Sequence, residues 1–386
     1  MKTPLFLFFA LVGSLFAAPP PPGGVKTLEI GSPAPDFTLL GVDGKQHTLA
    51  AYADKKVLAV LFTCNHCPTA QAVEERVKQL VTDFTGESFQ LLAISPNDPL
   101  SVRVDELGYS VYGDSYEEMI AHAKEYGFNF PYLYDGETQE TSMAFGAMAT
   151  PHIFIFDHER KLRYQGRLDD SKYEDGATTH DARNAINALL ASQPVPVETT
   201  RIFGCSTKWA YKRDLVSKHE TGWKEREVTL EKTDAKGVRQ LVANQSDKLR
   251  LINLWATWCG PCVAEFPDLV SLGRQFENRG FDFISLSMDE PTQEAKVLQF
   301  LKSEHAALGK RTELSVKEEG RTTNNYLFTG SQDAMAKALD PSWNGSLPYT
   351  ILVKPGGEIV WRHEGELDLM EARMAIVGEL GRFYAK

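Results

Sequence analysis

Positive charge is scarce in this sequence of 386 residues, and the shortage argues against one large class of function. There are 41 lysines and arginines against 52 aspartates and glutamates, which leaves a net charge of −11. Nucleic-acid binding requires clustered cations that neutralise phosphates, so we expect no nucleic-acid partner. The apolar fraction of 42% and the charged fraction of 24% are typical of a soluble globular protein.

Long apolar runs are also lacking. The run Leu5–Phe16 falls short of the roughly 20 residues that span a bilayer. It follows Lys2 and precedes the small residues Ala17 and Ala18, a pattern typical of a signal peptide over residues 1–18. No cysteine follows this segment to accept a lipid. We therefore expect a protein that is exported to the bacterial periplasm with cleavage of its signal peptide, and that makes no membrane contact beyond export.

Cysteine is rare as well, because the chain has only five. Four form two close pairs, Cys64 with Cys67 and Cys259 with Cys262, while Cys205 stands alone. Zinc modules commonly place two pairs ~15–20 residues apart. Here 192 residues (259 minus 67) separate them, and neither pair is followed by the histidine of a haem-attachment motif. Redox-active dithiols are favoured over structural bridges, and Cys205 is either a buried or free thiol or a redox partner.

The same order of features occurs twice along the chain. Each pair follows a β-type run, Val57–Phe62 or Leu249–Trp255, and precedes a helical pattern and a second strand, which predicts a βαβ unit with parallel strands. A proline and a strand hairpin follow 84 residues (151 minus 67) and 86 residues (348 minus 262) beyond the second cysteine. We predict an α/β protein with domains over 25–191 and 228–386, each a central mixed sheet flanked by helices, joined by a linker over 192–227.

Other segments carry local signals. Residues Leu28–Leu49 predict a leading hairpin, and Arg103–Tyr126 is an insertion that ends in a helix. Each half is expected to close with a helix, Thr178–Ala191 or Leu369–Tyr384. The far part of the linker, RIFGCSTKWAYKRD, contains aromatic residues and is expected to pack on a domain.

The second pair stands in a specific string, WATWCGPC, over Trp255–Cys262. This string resembles the thioredoxin superfamily. Together with Glu265 and the segment Trp343–Pro348, it resembles the exported TlpA/ResA-type thioredoxins over most of Val228–Phe383. The resemblance implies a thioredoxin-like fold and dithiol–disulfide chemistry. Thioredoxin has a buried acid where this chain has Asn253, so Glu265 would be the alternative acid that exchanges a proton with the inner cysteine, unless it is an ordinary charge on the helix face.

The spacing of this pair has a chemical basis. A strand delivers the first cysteine to the N-terminus of a helix, where unpaired N–H groups and the helix dipole favour the thiolate. Cys259 is therefore predicted to attack a disulfide, and Cys262, one turn inside the helix, to resolve the mixed disulfide. Trp255 and Trp258 are expected to form walls of the site.

The first pair stands in FTCNHCPT, over Phe62–Thr69. With APDFTLL from Ala34 and RLDD from Arg167, residues 28–191 resemble the redoxin group, which relates thioredoxins to the AhpC/TSA-like peroxiredoxins. The resemblance implies a second thioredoxin-like fold in tandem with the first. By the same geometry as in the second pair, we expect Cys64 to lie at the helix N-terminus and attack, and Cys67 to resolve.

Two features distinguish this first pair. His66 would stabilise the thiolate and make the disulfide a stronger oxidant, as in the oxidising members of the superfamily, unless it is a solvated turn residue. Leu58 and Ala70 stand at the places of the two alternative acids, so the first domain lacks both of them.

Pro151 and Pro348 match the cis-proline that faces the Cys-x-x-Cys in the thioredoxin superfamily. A cis bond there would expose the backbone of the preceding residues, Thr150 and Leu347, so that an extended substrate chain pairs with it.

These features predict an enzyme that exchanges disulfides with protein substrates and with a redox partner, without an organic cofactor or a metal. The second centre, with Gly260-Pro261 between its cysteines, resembles the reducing members of the thioredoxin superfamily, and the first centre, with His66, resembles the oxidising ones. Electrons are therefore expected to pass from Cys259 and Cys262 to Cys64 and Cys67. The runner-up is a peroxiredoxin-like thiol peroxidase, because Cys67-Pro68-Thr69 resembles the peroxiredoxin Cys-Pro-Thr sequence. A binding module without turnover is the third reading, and two intact pairs speak against it.

Overall fold

Two mixed β-sheets organise the protein, whose computed structural model describes residues 24–384. The predicted signal peptide over residues 1–18 lies outside the described residues. Each sheet has helices packed on it, so the expected α/β architecture with central mixed sheets is confirmed.

The first sheet has seven strands in the order β2-β1-β5-β4-β3-β7-β8. Its strands are β1 Thr38–Gly41, β2 Gln46–Thr48, β3 Val57–Phe62, β4 Phe89–Ser95, β5 Tyr132–Tyr134, β7 His152–Phe156 and β8 Leu162–Gly166. Its helices are α1 Pro68–Asp83, α2 Tyr116–Glu125, α3 Glu140–Phe145 and α4 Asp181–Leu190. β3 is buried along its whole length, as expected for a central strand covered on both faces.

The predicted local units are present in this half. β3, α1 and β4 form the βαβ unit with parallel strands, β1 and β2 form the leading hairpin, and β7 pairs antiparallel with β8. The apolar face of α1, with Val73, Val77 and Leu80, packs into the core cluster of the sheet.

The second sheet has six strands in the order β10-β13-β12-β11-β14-β15. Its strands are β10 Glu231–Thr233, β11 Leu249–Trp255, β12 Phe281–Ser287, β13 Asn325–Phe328, β14 Tyr349–Val353 and β15 Ile359–Glu364. Its helices are α6 Ala235–Ala243, α7 Gly260–Gln275, α8 Glu294–Ser303, α9 Lys310–Glu318, α10 Gln332–Leu339 and α11 Leu369–Leu380. β11 and β12 are parallel, as predicted, and β14 pairs antiparallel with β15.

The linker is ordered against the first half, which confirms that its far part packs on a domain. Its short strand β9, Cys205–Ser206, pairs with β6, Ala149–Thr150. The helix α5, Arg213–Lys224, follows, and Arg213 at its start binds both carboxylate oxygens of Asp98 at 2.7 and 2.9 Å.

The insertion after β4 connects the two halves. Val111 and Tyr112 are buried in one apolar cluster with residues of α7 and α11. The side chain of Gln275 on α7 donates to the carbonyls of Leu107 and Ser110, each at 3.2 Å. The insertion is therefore a structural bridge, a role that the sequence did not indicate.

The C-terminal segment returns to the first half. Arg382 donates to Gln71 at 2.7 Å and to Glu74 at 2.9 Å, and both acceptors lie on α1. No helix within residues 24–384 is long and apolar enough to cross a membrane.

Candidate functional site

The second cysteine pair is a disulfide at the start of α7. Cys259 is the N-cap residue, Cys262 lies inside the first turn, and their Cα atoms are 5.3 Å apart. Pro261 lies in the first turn, where its missing N–H leaves no bond unmade. Cys259 is 7% exposed and Cys262 is fully buried. The outer and inner positions that the sequence predicted are thus those that the structure shows.

Glu265 is buried on α7, one turn beyond Cys262. It is 3% exposed, so the alternative of an ordinary exposed helix charge is wrong. Its carboxylate accepts from Asn253 at 3.1 Å and from the backbone N–H of Leu367 at 2.7 Å. Burial nevertheless raises the pKa of Glu265 to about 7, and these two donors offset only part of the shift. A group with that pKa exchanges protons readily at neutral pH.

The rim of the second centre is open. Trp258, next to Cys259, is 66% exposed, whereas Trp255 is fully buried in the apolar cluster that contains both cysteines. Their role as walls of the site stays a prediction. The loop that carries Trp258 is fixed because Thr257 donates its N–H to Asp289 at 2.9 Å. The peptide bond between Leu347 and Pro348 is cis, as predicted.

The first centre has a different register from the one expected. α1 begins at Pro68 with Cys67 as its N-cap residue, so the expectation that Cys64 occupies the helix N-terminus is wrong. The physical reason is the proline, which favours the first helical position and fixes the start of the helix directly after Cys67.

Strand pairing gives the same register independently. Phe62 pairs with His152 and Leu254 pairs with Tyr349, and each partner directly follows a proline with a cis peptide bond. Cys67 lies five residues beyond Phe62 (67 minus 62), as Cys259 lies five beyond Leu254 (259 minus 254).

Cys67 is therefore the structural counterpart of Cys259. By the same count Ala70 takes the place of Cys262, and Cys64 takes the place of Ala256. The places of the two acids move to Leu61 and Val73, which are buried and apolar, so the predicted absence of an acid holds in the corrected register.

Both thiols of the first centre are buried and reduced in this structure. The Sγ atom of Cys64 lies 3.1 Å from Thr150 Oγ1, and that of Cys67 lies 3.3 Å from the carbonyl oxygen of Thr150. Burial and the neighbouring Cys67 raise the pKa of Cys64 well above its ordinary value. Burial also opposes the thiolate of Cys67. Hydrogen bonds from Cys205 and Cys64 and the charge of His66 outweigh it, and the pKa of Cys67 falls well below its usual range.

His66 is paired with a buried acid that the sequence analysis missed. Its Nδ1 atom is 2.6 Å from Asp114 Oδ2, and both residues are buried, so the alternative of a solvated turn residue is wrong. Asn97 donates to the same carboxylate oxygen at 2.7 Å. Burial alone would lower the pKa of His66, but the charge of Asp114 raises it overall. Asp114 lies in the insertion, where no local pattern marks it as part of the site.

Cys64, His66 and Asp114 also bring a thiol, an imidazole and a carboxylate within 4.8 Å of one another. These donor types are able to ligate a metal ion. In the structure the imidazole and the carboxylate instead bind each other at hydrogen-bond distance. The absence of a metal and of an organic cofactor stays a prediction from sequence.

A strand that leads into a Cys-x-x-Cys disulfide at a helix start, on a mixed sheet flanked by helices, defines a thioredoxin-fold redox protein. The comparisons with known proteins agree. Residues 30–165 match the AhpC/TSA family model and residues 221–375 match the Redoxin family model. The chain thus belongs to the thioredoxin superfamily, with two domains of that superfamily in tandem, as predicted.

Several relatives carry the name thiol-disulfide oxidoreductase ResA. ResA of Oceanobacillus iheyensis is 28% identical over 119 residues, which cover 31% of this chain and 50% of the relative. ResA of Bacillus subtilis is 25% identical over 127 residues, 33% of this chain and 59% of the relative. The chain spans between half and three fifths of the length of these curated relatives. A solved structure of an uncharacterized conserved protein from Geobacillus kaustophilus is 36% identical over 48% of this chain and 94% of that protein, with a TM-score of 0.42.

Proposed function

We propose that this protein is an exported thiol–disulfide oxidoreductase that exchanges disulfides with protein substrates. The observation that carries the proposal is the disulfide at the N-terminus of α7 with the buried Glu265 one turn further along the helix. Similarity to relatives named thiol-disulfide oxidoreductases supports the same chemistry.

The geometry supports a two-step exchange at the second centre. In the reduced form the Cys259 thiolate attacks a substrate disulfide, forms a mixed disulfide and releases one substrate thiolate. Cys262 then gives its proton to Glu265 and attacks Cys259 Sγ, which releases the second substrate thiolate and restores the disulfide. Open access at Trp258 and a buried inner cysteine favour this division of roles.

The first centre would act as the electron acceptor of the second. The charge of His66 favours the Cys67 thiolate, and stabilising the reduced form makes a disulfide the stronger oxidant. Electrons would pass from the Cys259–Cys262 dithiol to a disulfide of Cys67. In the corrected register Cys67, rather than Cys64, is the attacking thiol of this centre.

A peroxidase is the less favoured alternative. Cys67 does have the helix-terminal position of a Cys-Pro-Thr thiol, but Cys64 replaces the threonine hydroxyl of that motif. The named relatives also belong to the disulfide-exchanging class.

Insulin reduction measured beside hydroperoxide consumption tests this choice. We expect insulin reduction, its loss in Cys259→Ser, and trapped mixed disulfides in Cys262→Ser, because the outer thiol attacks and the inner one releases. Peroxide turnover without insulin reduction would contradict the proposal. Unchanged insulin reduction in Cys259→Ser would move the activity away from the second centre.

Export is part of the proposal, and it rests on the signal-peptide pattern of residues 1–18. N-terminal sequencing of the protein from a periplasmic extract should give a start near Ala18. Recovery of the Met1 terminus from membranes would contradict it.

A further inference from the structure

The linker strand β9 lies on the backbone edge where an extended substrate is expected. Thr150 pairs antiparallel with Cys205, and Ala149 with Ser206. The pairing continues as the N–H of Thr207 donates to the carbonyl of Met148 at 3.0 Å. Addition of an extended chain to a free strand edge is a general mode of peptide recognition, and here the chain itself supplies the strand.

Gly204 allows this close approach. A Cβ atom at this position would lie 2.0 Å from the carbonyl oxygen of Thr150, and the φ of Gly204 is +151°. A side chain there would therefore force the strand away from the edge. On the other side of Cys205, the N–H of Lys208 donates to Asn97 at 2.9 Å, so the strand is held at both ends.

Strand pairing brings the third thiol to the other two. Cys205 packs against the buried cluster of Cys64, Cys67 and Ala70. The hydrogen bond with Cys67, followed by burial, raises the pKa of Cys205, while the same contact lowers that of Cys67. The contact thus favours the thiolate at the helix N-terminus and keeps the proton on the thiol of the docked strand.

The second centre has no such strand. Within residues 24–384 no strand pairs with Leu347, the counterpart of Thr150, and the neighbouring Trp258 is exposed. The two centres share a scaffold, and only the first has its substrate edge filled by its own chain.

We propose that Cys205 is the redox partner of Cys67, and that the linker strand is an internal substrate bound covalently when the two form a disulfide. The inference rests on the proposed function, because it requires Cys67 to be an exchanging thiol. Cys67 attacks a disulfide RSSR and releases one RS⁻; Cys205 then attacks Cys67 Sγ and displaces the second RS⁻. The Cys67 thiolate and the Cys205 thiol together lose two electrons and one proton, and RSSR becomes RS⁻ and RSH.

Peptide mapping of the full chain tests the bond. The protein is equilibrated with excess oxidised glutathione, quenched with acid, alkylated and digested with trypsin. Cys205 lies on peptide 202–208, and the other two thiols lie together on peptide 57–76. In the unsubstituted protein we expect these two peptides to be cross-linked. Tandem mass spectrometry of the cross-linked peptides should place the bond on Cys67 and not on Cys64.

Variants separate the outcomes. Cys64→Ser should keep the cross-link and Cys67→Ser should lose it. Gly204→Val should reduce its yield severalfold, because the strand is displaced, whereas Gly222→Ala in α5 should leave it unchanged, since a Cβ there meets no atom within 4 Å. Absence of the cross-link in both the unsubstituted chain and Cys64→Ser, or an unchanged yield in Cys67→Ser, would overturn the inference.

Untreated aliquots of the same proteins, neither alkylated nor digested, are assayed for insulin reduction, which reports on Cys259 and Cys262. Insulin reduction without the cross-link rejects the role of Cys205 and leaves the proposed function intact. The cross-link without insulin reduction rejects the proposed function while the bond between Cys67 and Cys205 stands.

Discussion

At the scale of single residues, Glu265 links folding to proton transfer. It is buried, yet it accepts only two hydrogen bonds, from Asn253 and Leu367. Its pKa of about 7 means that the carboxyl group is close to half-protonated at neutral pH. The same burial that suits it to exchange a proton with Cys262 makes its ionised form costly to the fold.

Replacement of Glu265 by glutamine should change how stability depends on pH. The folded pKa of about 7 lies above the ordinary 4.5, so the unfolded chain loses this proton first as pH rises. The contribution of Glu265 to the free energy of unfolding is therefore intact below about pH 4.5. It declines between about pH 4.5 and 7 and stays low above pH 7. The difference amounts to at most about 3 kcal/mol.

Urea unfolding of the disulfide-bonded protein at pH 5 and pH 8 measures this effect. Glu265→Gln should remove that part of the pH dependence of stability. The pH–rate profile of insulin reduction should also lose the change in rate near pH 7. Glu358→Gln, at an exposed position in the β14–β15 turn, is the matched control. Equal pH slopes in the original protein and Glu265→Gln would show that the carboxyl is not held protonated.

At the scale of elements, the insertion between β4 and α2 completes the first centre. It contributes Asp114, whose carboxylate accepts from the backbone N–H of Asn65 at 2.9 Å and from His66 Nδ1 at 2.6 Å. The loop between β3 and α1 is thereby fixed by a carboxylate 48 residues away in sequence. A charge on His66 in a buried site depends on that partner.

Asp114→Asn should therefore lower the pKa of His66 and raise that of Cys67. Without the carboxylate, burial dominates at the imidazole, the cation is lost, and the thiolate loses its nearest positive charge. Ultraviolet absorbance of the thiolate, titrated with pH in the reduced protein with Cys259 and Cys262 kept as a disulfide, should shift to higher pH.

Asp43→Asn is the control for this experiment, because Asp43 contacts His47 at 3.1 Å on the surface. It should leave the thiolate titration unchanged. A titration that Asp114→Asn also leaves unchanged would remove His66 as the electrostatic cause.

The elements were predictable from sequence to the extent that their signals are local. The runs around β3 and β11, and the helical patterns after them, gave both βαβ units. The start of α1 was misplaced because a Cys-x-x-Cys was aligned on its first cysteine, although Pro68 marks the helix start one residue after the second. Asp114 and the pairing of Cys205 were not predictable, since both depend on contacts between segments far apart in sequence.

At the scale of the whole molecule, the two centres differ in access. The thiols of the first centre are enclosed by the insertion and the linker strand, and the C-terminal segment lies on α1 beside them. The second centre has an exposed tryptophan at its rim. This asymmetry suits a division in which the second centre meets large partners and the first receives electrons within the chain.

A distribution of electrons at equilibrium tests that direction. The fully oxidised chain is given one equivalent of dithiothreitol, equilibrated, quenched with acid and alkylated, and the thiols are assigned by peptide mapping. A potential gap of ~60 mV corresponds to about a hundredfold preference for a two-electron couple. We expect the reduced thiols to be found at Cys67 and its partner. Reduced thiols at Cys259 and Cys262 would contradict the proposed direction.

Cys64 lies where the second domain has Ala256, and Ala70 lies where the second domain has Cys262. The cysteine at the helix N-terminus, Cys67 or Cys259, has two positions where a second sulfur can lie: three residues before it in the loop, or three residues after it in the helix. In the first domain both positions lie in one buried cluster, because Ala70 packs with Cys64 and Cys67. Two substitutions would thus move the second sulfur from one position to the other while the cysteine at the helix N-terminus stays in place.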